Sequence, residues 1–335
     1  MKTIYPDYYE DFKCIAGNCP DTCCAGWEIV IDEKYCNIYK NSQTAAAKKA
    51  VSKMYTDSDN DVCLKLTDGR CPLLNRNNLC EIYIEMGKDA LCDVCRTYPR
   101  YNKETDSILF KGISLSCPEA ARLILSDNSF GCLDKEPEFE DSELITIYNS
   151  YKFFREMACK GNFFSCMDIA EKIQSELDFG DTKRADEIIA EYETGKEKNI
   201  PQIDEVYKTA LKISSFDILT KEWKECIKLL KLHLEKAKTN EIYLNKRNEA
   251  FEEFSSCREI KCIEIYYMYK YLPEAMDSFD IETMVSVAYI CAMIICEMYT
   301  MKELSNDTVD FDLRLRISQL FSKEIEHNED NLSSL

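Results

Sequence analysis

Lys13–Asp32, KCIAGNCPDTCCAGWEIVID, sets four cysteines (Cys14, Cys19, Cys23, Cys24) within eleven residues, among the turn formers Gly17, Pro20 and Gly26. The apolar run Trp27–Ile31 follows as an exit strand, with Ile29, Val30 and Ile31 supplying β-branched residues. Thiolates gathered on such a loop bind metal. An all-sulfur tetrahedral set takes zinc or an iron–sulfur cluster. Mixed Cys/His sets are few, because the chain has only His233 and His327.

Downstream, Asp32 is placed to cap a helix over Glu33–Lys40, and TAAAKKAVSKMY predicts a second over Thr44–Tyr55, ended by the polar TDSDND. A second cysteine unit then repeats the chemistry of the first, DGRCPLLNRNNLCEIYIEMGKDALCDVCRTYPRY. Cys71-Pro72 leads into two leucines, NRNN makes a tight turn, and Cys80 opens a helix with Ile82, Tyr83 and Met86 at helical spacing. Cys92 and Cys95 form a CxxC, and Tyr98-Pro99 stops the segment, since a residue before proline is pushed out of the helical region. The strand SILFKGISL delivers Cys117, and Pro118 starts the next helix at the position where a missing N–H costs least.

Eight cysteines stand out by context: Cys14, Cys19, Cys23, Cys24, Cys71, Cys80, Cys95 and Cys117. Neighbours in an extended chain point apart, so Cys23 and Cys24 are expected to serve different partners. Two four-thiolate sites fit this pattern, and so does one cluster with one structural zinc. A purely structural role fits as well, since a four-cysteine zinc site supplies about 10–16 kcal/mol of apparent folding energy. Cys19–Cys23–Cys24 reads CxxxCC, which departs from the CxxxCxxC of common radical enzymes that cleave S-adenosylmethionine. Cys92 is a weaker ligand candidate. Cys36, Cys63, Cys132, Cys159, Cys166, Cys226, Cys257, Cys262, Cys291 and Cys296 read as small buried hydrophobes.

Composition agrees with metal rather than disulfides. Of 19 cysteines in 335 residues, eleven fall at or before Cys117, and their density is below the roughly 8–10% of small disulfide scaffolds. The opening MKTIYPDYYEDF carries Tyr, Asp and Glu where a signal peptide has an apolar core, so a cytoplasmic setting with reduced thiols is expected. Thr283–Cys296 is uncharged over fourteen residues, short of the roughly twenty that span a bilayer, and reads as a buried core helix without membrane insertion. The net charge of −19 disfavours nucleic acid and anionic membranes, and serves solubility or attracts a basic partner. There is no GxGxxG, GxxxxGK, HExxH or GxSxG. Both histidines fall in helical sequence and are expected on the surface.

The acidic, turn-rich SDNSFGCLDKEPEFED marks a boundary. The expected architecture is mostly α: a small cysteine-rich α+β metal-binding domain over residues 1–130, then an all-α helical domain over 141–330. Helices are expected over Ser142–Cys159, Phe164–Leu177, Lys183–Thr194, Ile203–Ala237, Ile242–Ser255, Glu259–Tyr271, Ile281–Lys302 and Phe311–His327.

YYEDFKCIAGNCPDTCCAGWEIVID, CPLLNRNNLCEIY, CDVCRTYPR and SLSCPEAARLIL, in this order and at these separations, resemble the flagellin lysine-N-methylase family. The likeness is close over residues 1–126 and general beyond. It implies a cytoplasmic enzyme that transfers methyl groups from S-adenosylmethionine to flagellin lysines, with a cysteine-bound [4Fe–4S] cluster. The eight cysteines match the family's motif positions, and Cys92 fits less securely. A lysine with an ordinary pKa near 10.4 must lose its proton before attacking a methyl group. Asp21, Asp32, Asp93 and Tyr98 are the candidates to take it or to orient the amine, and Arg96 and Arg100 to pair with the cofactor's carboxylate. Asp32 has its capping role as the alternative, and the two arginines have surface charge. The competing reading is a non-enzymatic zinc- or iron-binding module whose acidic helical half docks a protein.

Overall fold

The computed structural model describes residues 1–27, 29–58, 60–192, 199–327 and 331. The N-terminal portion contains β1 (Lys2–Ile4), β2 (Ile29–Val30), α1 (Glu33–Asn41), α2 (Ala45–Lys53), β3 (Met54–Thr56) and β4 (Val62–Leu64). It continues with α3 (Glu81–Met86), α4 (Asp93–Thr97), β5 (Arg100–Glu104), β6 (Ile108–Ile113) and α5 (Pro118–Ser126). The rest is helical: α6 (Ser142–Lys160), α7 (Met167–Asp178), α8 (Thr182–Glu191), α9 (Ile203–Ile213), α10 (Lys221–Thr239), α11 (Glu241–Ser255), α12 (Arg258–Ser278), α13 (Ile281–Leu304) and α14 (Phe311–Glu326). The fold is mostly α, with its small sheets confined to the N-terminal part, as the sequence indicates.

Local chemistry explains most boundaries. Asp141 accepts the Glu143 and Leu144 N–H groups to cap α6, and Gly161, at φ +75°, ends it in the left-handed conformation. Thr220, Asn240, Asp280 and Asp310 cap α10, α11, α13 and α14 in the same way. Several details differ from expectation, and α12 runs on to Ser278 with Pro273 inside it, past the expected end at Tyr271. Ile203–Ala237 is two helices, because Ser214 and Ser215 turn their hydroxyls back onto the Leu211 and Lys212 carbonyls and Thr220 starts a new cap. Met54 and Tyr55 leave α2 to pair with β4. Asp32 occupies the N-cap position of α1, but its carboxylate accepts the Asp93 N–H at 2.8 Å instead. The expected end of α8 at residues 193 and 194 lies outside the described residues.

The apolar side chains form two cores. Ile29, Ile31, Tyr35, Tyr39, Ala46, Ala47, Ala50, Leu64, Leu73 and Ile82 make a small one around the antiparallel sheet β2-β4-β3. The large core runs through the helical bundle and takes in N-terminal residues as well: Ile4, Tyr8, Phe12, Phe110, Ile113 and the inner face of α5. Here β1 lies parallel to β6, with Ile4 opposite Phe110, and β5 pairs antiparallel on its other side. The chain therefore enters the helical core, leaves to build the cysteine unit over residues 29–95, and returns.

At the centre lies α13, long and apolar enough by length and composition to cross a membrane, and here buried among α7, α11, α12 and α14. Its Glu297 is wholly buried and accepts from Arg247 in a two-pronged bond and from His233 Nε2 at 2.7 Å, while Tyr243 Oη lies 2.9 Å from His233 Nδ1. Burial alone would raise the Glu297 pKa, and these partners instead hold it below the usual range. The expectation of a surface His233 is thereby corrected: its charged neighbours in sequence face outward while the imidazole serves a core carboxylate.

Candidate metal centre

Backbone bonds bring the two cysteine units together. Gly26 N–H donates to Gly69 O at 2.9 Å and Cys71 N–H to Cys24 O at 2.7 Å, with Gly26 at φ +89°. The Asn75 side chain accepts from Asn77 and Leu79 N–H, closing the NRNN turn, and a bridge between Leu74 and Cys80 returns the chain toward Cys71. A Cβ at Gly17 would stand 2.9 Å from Asn77 O, so the first loop rests on that turn by close backbone approach.

The cysteines fall into two groups by the core they adjoin, and the hydrogen-bonded thiols of Cys23 and Cys24 link the two. Cys24, Cys71, Cys80, Cys92 and Cys95 pack within or against the small core. Cys14, Cys19, Cys23 and Cys117 form the other group, with Cys117 at the edge of the large core and Cys14 and Cys23 exposed. Burial pushes Cys71 up to about 12, with Cys24, Cys80 and Cys92 adding repulsion. Cys117 is pushed up to about 11 by burial, with Cys19 and Cys14 adding to it. Across the division, the hydrogen bond with Cys23 brings Cys24 down to about 7, while inside the small-core group the hydrogen bond with Cys95 lowers Cys92.

Among the described residues, no three Cys, His, Asp or Glu side chains are drawn in to ready-made metal geometry. The donor chemistry of the two groups fits the metals that an all-thiolate set takes, each group offering at least four soft sulfur ligands. Cys92, the weaker candidate by sequence, is buried in the small core, with its thiol hydrogen-bonded to Cys95. Cys132 is exposed, against the expectation that it is buried. It follows Gly131 in a turn on the surface.

The other candidate residues are held as follows. Asp21 accepts Lys323 Nζ at 2.9 Å, Gln319 Nε2 at 3.0 Å and Arg316 Nη1 at 3.1 Å, all from α14. Burial would raise its pKa, but Lys323 and its neighbours hold it low. Cys19 Sγ donates to the Asp21 carbonyl at 3.1 Å, so the same residue ties the loop's thiol. Asp93 pairs with Arg96 and, through Tyr35 Oη at 3.3 Å, with α1. Arg100 donates to Phe12 O at 2.9 Å and lies over the Tyr9 and Phe12 rings. Asp32, Asp93 and Arg96 thus gather at one edge of the cysteine unit, away from Asp21, while Tyr98 meets Trp27 and His327 at ring centroids of 5.8 and 5.7 Å. His327 itself is not a surface residue: it lies 5.1 Å from the Trp27 ring and 2.9 Å from Ser116 Oγ, and burial lowers its pKa to about 4. Sequence reading missed Ser116, Trp27 and His327 as a group, because residues so far apart share no local pattern.

A cysteine-rich unit clamped onto an all-α bundle by its last helix is thus the class of protein that the fold defines. The chain belongs to the FliB lysine N-methylase family, whose C-terminal domain matches residues 154–335. Among relatives, it is 26% identical over 155 residues to the flagellar biosynthetic protein FliU of Salmonella muenchen, covering 43% of this chain and 88% of that one. It is 28% identical over 128 residues to a lysine-N-methylase of Salmonella choleraesuis and 27% identical over 128 residues to one of Salmonella typhimurium, in each case over 36% of this chain and 32% of the relative. The matched region spans about a third of the length of those two lysine-N-methylases. No solved structure matches the chain.

Proposed function

We propose that the chain is a cytoplasmic protein-lysine N-methyltransferase that uses S-adenosylmethionine to methylate flagellin, with a cysteine-ligated [4Fe–4S] cluster. The observation that supports the metal part is the gathering of Cys24, Cys71, Cys80, Cys92 and Cys95 at the small core, with Cys14, Cys19, Cys23 and Cys117 outside it. Cys14, Cys19, Cys23 and Cys117 would hold the cluster, with Cys14 and Cys23 exposed on the side open to a protein substrate. Cys24, Cys71, Cys80 and Cys95 would hold a structural metal, zinc or iron, at the small core, with Cys92 beside them. The methyl donor supplies an electrophilic sulfonium carbon. The lysine nitrogen, once its proton is gone, forms the new C–N bond as the C–S bond breaks and its electron pair returns to sulfur. The chain's excess of 61 acidic over 42 basic residues favours approach of a cationic side chain. The family and the names of its relatives support the enzyme over a metal-binding adaptor.

The test is direct. Protein purified without oxygen is assayed for iron, sulfide and zinc, then incubated with S-adenosylmethionine and flagellin, and flagellin is weighed by mass spectrometry. Iron with sulfide and a mass gain on flagellin is expected. Zinc alone with unchanged flagellin overturns the reading.

A further inference from the structure

At the join between the cysteine loop and the C-terminal end of α14, five hydroxyl, imidazole and carboxylate groups form one unbroken hydrogen-bonded chain. Glu326 accepts Ser114 Oγ at 3.1 Å, Ser114 Oγ lies 2.6 Å from Ser116 Oγ, and Ser116 Oγ lies 3.0 Å from Tyr98 Oη and 2.9 Å from His327 Nε2. Glu326 is also bonded by Lys270, by Tyr266 and by Ser322 at 2.7 Å. Burial alone would raise its pKa, but Lys270 holds it below the usual range, so it rests as a carboxylate.

A carboxylate only accepts. Ser114 must therefore donate its one hydroxyl proton to Glu326, and its lone pairs take the Ser116 hydroxyl and the Ser116 N–H at 3.3 Å. With its own proton spent on Ser114, Ser116 has only lone pairs left for Tyr98 and His327, so both donate to it. The polarity set at Glu326 thus reaches the imidazole and fixes its tautomer: hydrogen on Nε2, a bare lone pair on Nδ1. Nδ1 is the atom that is buried without a partner. A buried acceptor of that kind is costly until a donor fills it. The half-buried rings of Trp27 and Tyr98 pack against the imidazole, and π faces favour a cation.

We propose that His327 Nδ1, beside the Trp27 and Tyr98 rings, is the seat of the target lysine's ammonium and takes its proton. This rests on the methyltransferase reading. The lysine N–H bond breaks and leaves its electron pair on nitrogen, and the proton bonds to Nδ1. The Nε2 proton passes to Ser116, that of Ser116 to Ser114, and that of Ser114 to Glu326, which becomes a neutral acid beside Lys270. The charged groups facing the imidazole are Asp21 from the cysteine loop, Lys270 from α12, and Lys323 and Glu326 from α14 itself. Trp27, anchored by its Nε1–H to Cys23 O at 2.7 Å, is the ring that an entering amine displaces.

The chain's two histidines make the test clean. The full-length metal-loaded protein is labelled with nitrogen-15 at histidine, and His327→Phe assigns the His327 signals. An Nε2–H tautomer whose Nδ1 signal moves with methylammonium chloride, and not with sodium chloride at equal ionic strength, is expected. In methylation assays, His327→Phe should lower kcat about 100-fold or more with little change in KM, and be rescued as pH rises toward the lysine's own pKa. Ser116→Ala, which removes only a hydroxyl, should lower kcat in the same pH-rescued way and guards against a misfolded His327 variant. An Nδ1–H tautomer, a signal indifferent to methylammonium, or undiminished kcat in both variants overturns the inference. If the wild-type protein methylates no lysine, the parent reading falls, and the tautomer and the methylammonium shift still decide this one.

Discussion

Replacing Asp21 by alanine removes the acceptor shared by Lys323, Gln319 and Arg316. The Lys323 side chain is 6% exposed and that of Asp21 18%, so the variant leaves an ammonium largely out of water with no counter-charge. Stranding one partner of a buried pair costs about 3–5 kcal/mol, and the partial exposure of Asp21 places this case near the lower end. Arg316 adds little, being 37% exposed and still paired with Glu222. Asp21→Asn keeps an acceptor without the charge and should cost about 1–2 kcal/mol. Urea unfolding near pH 7 measures both. The sign with pH follows from the lowered pKa: the stabilisation is complete above the unfolded value of 3.8 and is lost as pH falls through the lower folded value, so wild type and Asp21→Ala converge in acid. A loss of stability below about 1 kcal/mol in Asp21→Ala refutes the anchor. Two variants as stable as wild type and equally inactive would return Asp21 to the chemistry.

Glu297→Leu strands Arg247 and His233 in the bundle core and should cost about 3–5 kcal/mol, with part of the loss recovered in the double variant Glu297→Leu/Arg247→Met, both read by thermal unfolding. Glu264 is buried with neither carboxylate oxygen hydrogen-bonded, and burial raises its pKa well above 4.5. Its neutral form suits the fold, so the wild type loses stability as pH rises above 4.5, and Glu264→Gln should flatten that decline, gaining about 1–3 kcal/mol on the alkaline side in urea titrations. Cys23→Ser and Cys24→Ser should deplete different metals: iron and sulfide for the first, the structural metal with folding stability for the second, measured by elemental content and circular dichroism. Loss of the same metal from both would show a single centre.

What could be seen in the sequence followed the reach of each signal. Caps, proline positions and helical periodicity act over four residues, and they placed α5, α6, α11 and α13 closely. The alternation of an extended chain does not apply to Cys23 and Cys24, which sit in a turn with their thiols hydrogen-bonded to each other. The break after Ile213 was not legible, since Ser214 and Ser215 also occur inside helices, and only the Thr220 cap shows that the chain restarts. The same limit hid His233 and His327. A histidine in a charged helix looks solvent-facing until its distant partner is known, here Glu297 at a separation of 64 residues and Ser116 at 211.

The polar residues of α14 show why the two halves act as one. Arg316, Gln319, Lys323 and Glu326 recur three and four residues apart, a spacing that reads as a solvent face on an amphipathic helix. In the fold that stripe is an inner wall. Arg316, Gln319 and Lys323 grip Asp21, Gln319 also donates to Ser116 O at 2.8 Å, and the stem of Lys323 lies 3.6 Å from where a Gly26 side chain would begin. Glu326 and His327 then close on Ser114 and Ser116, one residue before Cys117. A helix with no cysteine of its own thus touches the cysteine loop on both flanks of Cys23 and the strand end that delivers Cys117. The helical bundle, which carries the family's C-terminal domain, sets where the exposed thiol group stands, and Glu326 and His327 at the end of the same helix close the hydrogen-bonded chain beside it.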